Sequence, residues 1–373
     1  MGAAGQRCRT GKSKARGMNA PLLRSRLAVR MADLKDADEV SRLDAWIMAH
    51  EQGLPFHRPN WLLAIEEATG QRAHCLIAER AGDIAAILPF HLVHSPLFGR
   101  ALVSSAFAVG GGIVSNSATA TQRLAAEICG LAERWSCPTV ELRGGSMPGR
   151  GWIEKRDSHA NFLKPLQADS EAELLAIPRK QRAEVRKGLE NGLAVVTGRT
   201  ERDLDWHYRV YAESVRNLGT PVYPKGLMAA VLQRFGEDAD ILTVLHEGQP
   251  VASVFSLYHK GIVMPYWGGG VWDARRLRAN DVMYYALMDH ARNRRCTHFD
   301  FGRSKTDSGA YHFKKNWGFE PESMAYAIHT ADGQEPRDIN PNSPKYRAQI
   351  ALWQKLPLPV ANYLGPWIAK GLG

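Results

Sequence analysis

A carboxylate (Asp300), a guanidinium (Arg303), a hydroxyl (Ser304) and three lysines (Lys305, Lys314, Lys315) crowd into one short stretch near the end of the chain. The stretch reads as a buried strand at 299–301, a Gly/Ser-rich turn, then a short basic-aromatic helix ending at Gly318. Strand ends that face such turns are where α/β proteins place reactive groups. Cations beside a carboxylate and a hydroxyl suit a donor that carries phosphates and an acyl group. The cations would hold the anions while Asp300 orients or deprotonates an attacking amine. The same residues also fit a plainer role, with Asp300 bonding turn amides and Tyr311, Phe313 and Trp317 packing a core.

Three further clusters could bind or catalyse. Arg179, Arg182 and Arg186 fall three and four residues apart, so a helix would put them on one face suited to phosphate; a solvated face is the competing reading. Glu213 and Arg216 lie on a helix that stops at Gly219, with either a catalytic carboxylate or a simple ion pair. The run Tyr266-Trp267-Gly268-Gly269-Gly270 would let a ligand approach backbone amides, or would make a tight bend.

Other chemistries lack their residues. No HExxH or CxxC supports a metal site, Gly144-Gly145-Ser146-Met147-Pro148 misses the last glycine of a nucleophile elbow, and there is neither a P-loop nor a dinucleotide fingerprint. The net charge of +10 is mostly local, because residues 1–30 hold eight basic residues and no acid. That tail lacks hydrophobic periodicity and is expected to be disordered. The five cysteines form no framework and fit a reduced, cytoplasmic setting. No apolar run is long enough for a transmembrane helix.

The elements that must position these groups repeat. In residues 24–167 a strand at 26–31 leads to helices at 36–50 and 61–69, then strands at 73–80, 83–93 and 101–109. Gly110-Gly111-Gly112, a helix at 119–137 and a strand at 139–143 follow. In residues 168–335 a basic helix at 178–191 precedes a strand at 193–197 and helices at 203–217 and 225–235. Strands at 240–246, 250–259 and 262–267, a glycine triplet, a helix at 280–294 and a strand at 297–301 complete it. The shared order reads as a duplicated domain. Residues 336–373 form an extension with a helix at 345–354 and a Pro-broken apolar tail, whose Trp353, Tyr363 and Trp367 with Lys355 and Lys370 suit a membrane interface or cover a groove.

Phe299–Gly302 with Tyr311-x-Phe313-Lys314-Lys315-x-Trp317-Gly318-Phe319 resembles the closing motif of FemAB-type transferases. Ile177-Pro178-Arg179-Lys180-Gln181-Arg182, the stretch 211–221 and Asn342-Ser343-Pro344-Lys345-Tyr346-Arg347 resemble the branch associated with exosortase/PEP-CTERM exopolysaccharide systems. The resemblance covers roughly residues 25–373 and implies an α/β (α+β) fold of two tandem GNAT-like, BioF2-like acyltransferase domains, with mixed, mostly antiparallel sheets flanked by helices. It implies transfer of an acyl or aminoacyl group onto an amine of a small-molecule or lipid-linked envelope precursor, from acyl-CoA or aminoacyl-tRNA, with no tightly bound cofactor and no metal. The turn Arg275-Arg276-Leu277-Arg278-Ala279-Asn280-Asp281 departs from the glycine loop of acyl-CoA enzymes, although Asn280 opens a helix that could receive an anion.

The expected site therefore has Asp300, Glu213 and Tyr311 as catalytic residues. Arg179, Arg182, Arg186, Arg216, Trp267, Gly268, Gly269, Asn280, Arg303, Ser304, Lys305 and Lys314 bind substrate. The expected location is cytoplasmic, with peripheral contact at the inner membrane through 345–373. A noncatalytic scaffold of a polysaccharide system and a nucleic-acid-binding module using the basic tail are the rival readings.

Overall fold

The computed structural model describes residues 1–2, 26–332 and 344–373. The basic tail of residues 1–23, apart from its first two residues, and the start of the extension at 336–343 lie outside the described residues.

The first half contains β1 (Ala28–Met31), α1 (Ala37–Ala49), α2 (Pro59–Thr69), β2 (Arg72–Arg80), β3 (Asp83–Ser95), β4 (Gly99–Val103), β5 (Val114–Ser115), α3 (Ala118–Arg134), β6 (Thr139–Arg143) and β7 (Ile153–Lys155). A connecting stretch carries β8 (His159–Asn161), β9 (Leu163–Pro165) and α4 (Ser170–Ala176). The second half runs through α5 (Arg179–Leu189), β10 (Ala194–Gly198), α6 (Glu201–Asn217), α7 (Lys225–Phe235), β11 (Ala239–His246), β12 (Gln249–His259), β13 (Ile262–Gly270), α8 (Ala274–Leu277), α9 (Ala279–Asn293) and β14 (His298–Asp300). It ends in β15 (Ser304–Lys305), α10 (Gly309–Asn316), β16 (Glu322–Ser323) and β17 (Tyr326–Thr330), before α11 (Pro344–Gln354) and α12 (Leu358–Ala369).

The duplicated order is visible in the sheets. Each half has three antiparallel neighbours, β1-β2-β3 with β4 and β10-β11-β12 with β13, then a parallel pair reached through a helix, β4-α3-β6 and β13-α9-β14. Strands are exchanged across the expected division at 167 and 168. β9 lies before it yet closes the six-stranded sheet beside β14, whereas β17 lies after it yet sits between β6 and β7 in the eight-stranded sheet.

The halves share a core. Phe56, Trp61 and Phe107 of the first pack in one cluster with Tyr211, Phe235, Phe255 and Trp267 of the second. Each such buried side chain contributes about 1.5–3 kcal/mol, so the seam binds the halves into one body. Polar ties flank it: Arg58 pairs with Asp44 at 2.8 Å in its own half and with Asp238 at 2.7 Å across the seam. Lys260 donates to the carbonyls of Ile47, in the last turn of α1, and of His50 and Gly53 just beyond it.

Three local expectations differ from the structure. The strand expected at 101–109 stops at Val103, because Ser105 and Phe107 take positive φ values of 44° and 62° and turn the chain away. The strand expected to end at Trp267 runs on through the glycine triplet to Gly270. The tail expected to be broken by proline is the helix α12; Pro359 occupies its first turn, where no N–H is needed, and Pro366 costs one interior bond.

Candidate active site

The parallel strands β13 and β14 are in register only at Ile262–His298 and Val263–Phe299. β14 then ends at Asp300, while β13 continues to Gly270 with β12 on its other edge. From Met264 onward the two strands part, and β13 presents an edge that no described strand pairs. The equivalent place in the first half is closed. There the chain after β4 folds back, Gly112 N–H donates to Arg143 O at 2.9 Å, and Ser146 N–H donates to Ile113 O at 2.7 Å. Among the described residues, only the second half leaves this strand edge, at the notch between β13 and β14, without such a partner.

The turn after β14 forms one lip of the notch. Gly302 has φ +67°, a conformation other residues rarely adopt, and its N–H donates to Asp300 Oδ1 at 2.8 Å. Lys314 reaches in from α10 and donates to Gly302 O at 2.9 Å and Arg303 O at 3.1 Å, over the rings of Phe162 and Phe301. α10 is aimed by Ser308, whose Oγ accepts from Tyr311 N–H. Burial raises the Asp300 carboxyl above its usual range against the Gly302 N–H, Asn161 and Lys314. Burial also lowers Lys314 to about 7, with Arg303 adding to the fall and Asp300 opposing it. Carboxylate and ammonium therefore lock the turn from both sides, and the Lys314 ammonium faces two carbonyls rather than a ligand.

Beyond the lip the two halves meet in a cationic, aromatic patch. Arg303 donates to the Tyr326 hydroxyl, which itself donates to Val109 O at 3.3 Å. His159 stacks on Tyr326 with centroids 5.3 Å apart, and burial, with Arg303 and Lys305, lowers its pKa to about 4, leaving a neutral imidazole. Buried Arg143 donates to Ala108 O at 3.0 Å and Gly373 O at 2.7 Å and pairs with Glu141. Tyr266 donates to Phe107 O at 2.6 Å, tying β13 to the same loop. Tyr311 stands beside this region, edge-on to Phe162 at 5.3 Å.

The expected site residues thus fall in separate places. Asp300, Arg303, Ser304, Lys305, Lys314 and Tyr311 gather at the lip, with Ser304 and Lys305 paired to β8 as strand β15. Glu213 accepts from Trp272 N–H at 2.9 Å past the far end of β13, and Arg216 donates to Gln354 O and Leu356 O at the end of α11. Trp267 is buried in the seam. Gly268 and Gly269 serve close packing: a Cβ on Gly269 would lie 2.6 Å from Ser214 Cβ, and one on Gly268 3.1 Å from Val254 Cγ2.

Asn280 sits behind Gly270 with Oδ1 unpartnered, but the start of α9 is covered. Asp281 and Val282 N–H donate to Arg278 O, Gln181 of α5 donates to Asp281 at 2.6 Å, and Glu184 of α5 pairs with Arg278 at 2.6 Å. Arg179 and Arg186 are exposed on the outer side of α5; Arg182 is half-buried and donates to Leu175 O at 3.0 Å. With Lys187 they border a cavity of about 370 Å³. Among the described residues no cluster of His, Cys, Asp and Glu is placed to hold a metal.

Sequence reasoning passed over Arg143, His159 and Tyr326 as site members, and took Tyr266 only as the start of the glycine run. Arg143 alone gave a signal, as a charged residue ending an apolar strand before two glycines. The others come from segments far apart in the chain that only the strand exchange brings together.

Residues 179–315 match the family model of the acetyltransferase (GNAT) domain. That span holds the notch, α5 and most of α10. A solved structure of FemX superimposes with a TM-score of 0.64 at 13% identity, covering 79% of this chain and 96% of that one. A tandem GNAT protein from the clavulanic acid biosynthesis pathway superimposes with a TM-score of 0.52 at 13% identity, covering 83% of this chain and 100% of that one. At such identities the likeness concerns the fold, which is mixed α/β with mostly antiparallel sheets and GNAT-like in both halves. No curated protein sequence matches the chain.

Proposed function

We propose that the protein is an N-acyltransferase or aminoacyltransferase that acts on an amine of a cell-envelope or exopolysaccharide precursor. The observation that carries this reading is the parting of β13 from β14 after two paired residues, which lies within the stretch that matches the GNAT model. An unpaired strand edge offers N–H and C=O groups in register to an extended, amide-bearing substrate. The acceptor amine attacks the donor carbonyl carbon to form the C–N bond, the tetrahedral adduct breaks its C–S or C–O bond, and the nitrogen's proton passes to the departing thiolate or ribose oxygen. Arg303 supplies positive charge where phosphate or carboxylate groups of an acceptor would lie, Arg143 braces the loop behind it, and Tyr311 lines its entry. Asp300 acts as a positioning residue that fixes the lip, and Glu213 positions the turn after β13.

The donor we favour is an aminoacyl-tRNA rather than acyl-CoA. The covered start of α9 disfavours a diphosphate there, whereas the basic row on α5 suits a polyanion. The test is parallel incubation with labelled acetyl-CoA and with charged tRNA, scoring label on lipid-linked and soluble amines. Label should pass from the tRNA, and a triple Arg179→Glu, Arg182→Glu, Arg186→Glu variant should lose it by about tenfold or more, with a shallower salt dependence. Efficient transfer from acetyl-CoA, untouched by the triple variant, overturns the donor assignment. No transfer from either overturns the function.

A further inference from the structure

Helix α12 is inside out. Its small residues face the body: Ala361 is 2% and Ala369 0% exposed, and a Cβ on Gly365 would meet Val222 N at 2.9 Å. Four of its large apolar residues face away, with Val360 41%, Tyr363 84%, Leu364 38% and Trp367 63% exposed, while Leu358 and Ile368 are half-buried. These four fall at i, i+3, i+4 and i+7, so they form one stripe. A helix on the surface of a globular protein turns such a stripe inward, and contiguous apolar surface left outside marks an interaction. The stripe is extended by Leu97 at the β3–β4 turn, 57% exposed, which lines a cavity of about 170 Å³ together with Trp367.

We propose that this face seats the protein on an anionic lipid bilayer surface, α12 lying in the interface plane. Three observations choose lipid as the occupant. The stripe carries no charge, and its polar groups are the Tyr363 hydroxyl and the Trp367 indole N–H alone, too few to select a protein partner. Its aromatic residues are Tyr and Trp, whose apolar rings and polar tips suit the headgroup boundary. Residues 344–373 contain four basic residues (Lys345, Arg347, Lys355, Lys370) and no acid, a balance complementary to anionic headgroups. No described helix is long and apolar enough to cross a membrane, so the contact is peripheral. Docking of the small-residue side onto α6 and onto Gln71, which donates to Lys370 O at 3.0 Å, holds the stripe outward before any lipid is met. The inference does not rest on the transfer reading and uses none of its residues.

The test is flotation of the full chain with phosphatidylcholine vesicles, with and without phosphatidylglycerol, beside light scattering of the free protein. The wild type should float with the phosphatidylglycerol vesicles. A Tyr363→Ser, Trp367→Ser variant should lose about tenfold in partition per aromatic removed, with unchanged circular dichroism, since both side chains are exposed. A Lys355→Glu, Lys370→Glu variant should lose the preference for phosphatidylglycerol. No flotation of the wild type, or equal flotation of the serine variant, overturns the proposal. So does a wild-type dimer that the serine variant abolishes, because a second copy then covers the stripe.

Discussion

Replacing Lys314 with Met isolates the electrostatics of the notch lip. The ammonium is buried between Gly302 O and Arg303 O, and its pKa falls from 10.5 to about 7. The unfolded chain keeps its proton up to the ordinary lysine range, whereas the folded chain gives it up near pH 7. Between these values the unfolded state binds more protons, so stability rises with pH. With one pKa unit worth about 1.4 kcal/mol, the wild type should gain about 2 kcal/mol between pH 7 and pH 9 from this group alone. Lys314→Met has no such group, and its long apolar side chain suits the rings of Phe162 and Phe301. It does leave two carbonyls without a donor, at about 1–3 kcal/mol each. That cost is independent of pH, so the difference between wild type and variant carries the prediction. Burial raises the Asp300 carboxyl, which acts in the opposite sense at acid pH and leaves the alkaline window to the lysine. Urea unfolding followed by tryptophan fluorescence at pH 7, 8 and 9 measures it. A wild-type minus variant difference that stays flat across that window would falsify the burial argument.

Asp300→Asn keeps an acceptor for the Gly302 N–H, so transfer should persist within about tenfold; a loss of about 100-fold or more with the fold intact would make the carboxylate a general base. Gly269→Ala drives a Cβ into Ser214 and should cost about 1–3 kcal/mol by calorimetry, with Ser214→Gly restoring most of it; absence of rescue would mean that the glycine serves something other than helix packing.

Most helices and strands were legible because local pattern suffices for them. The duplicated order, the end of β14 at Asp300 and the short helix before Gly318 all follow from periodicity and from glycine as a stop signal. The glycine triplet was read as a possible ligand approach because sequence gives no account of what lies opposite; the structure places Ser214, Val254 and Ala274 there. The tail after Leu356 was misread because a proline counts against a helix only where an interior N–H is needed: of its three prolines, Pro357 is the N-cap, Pro359 falls in the first turn, and Pro366 alone is interior.

What the sequence determined by itself was the inventory: a doubled α/β order, a charged turn after a buried strand, a basic helix face and an acid-free C-terminal segment. These depend on neighbours within a few residues. The tertiary structure decided which half is open, because closure of the first notch depends on where residues 104–113 return to β6. It decided that Lys314 faces carbonyls and that Arg143 and Tyr326 join Arg303, through strands exchanged between the halves. It also decided which side of α12 meets water. Those outcomes rest on contacts between segments distant in the chain, where burial and steric fit, not local preference, set the answer.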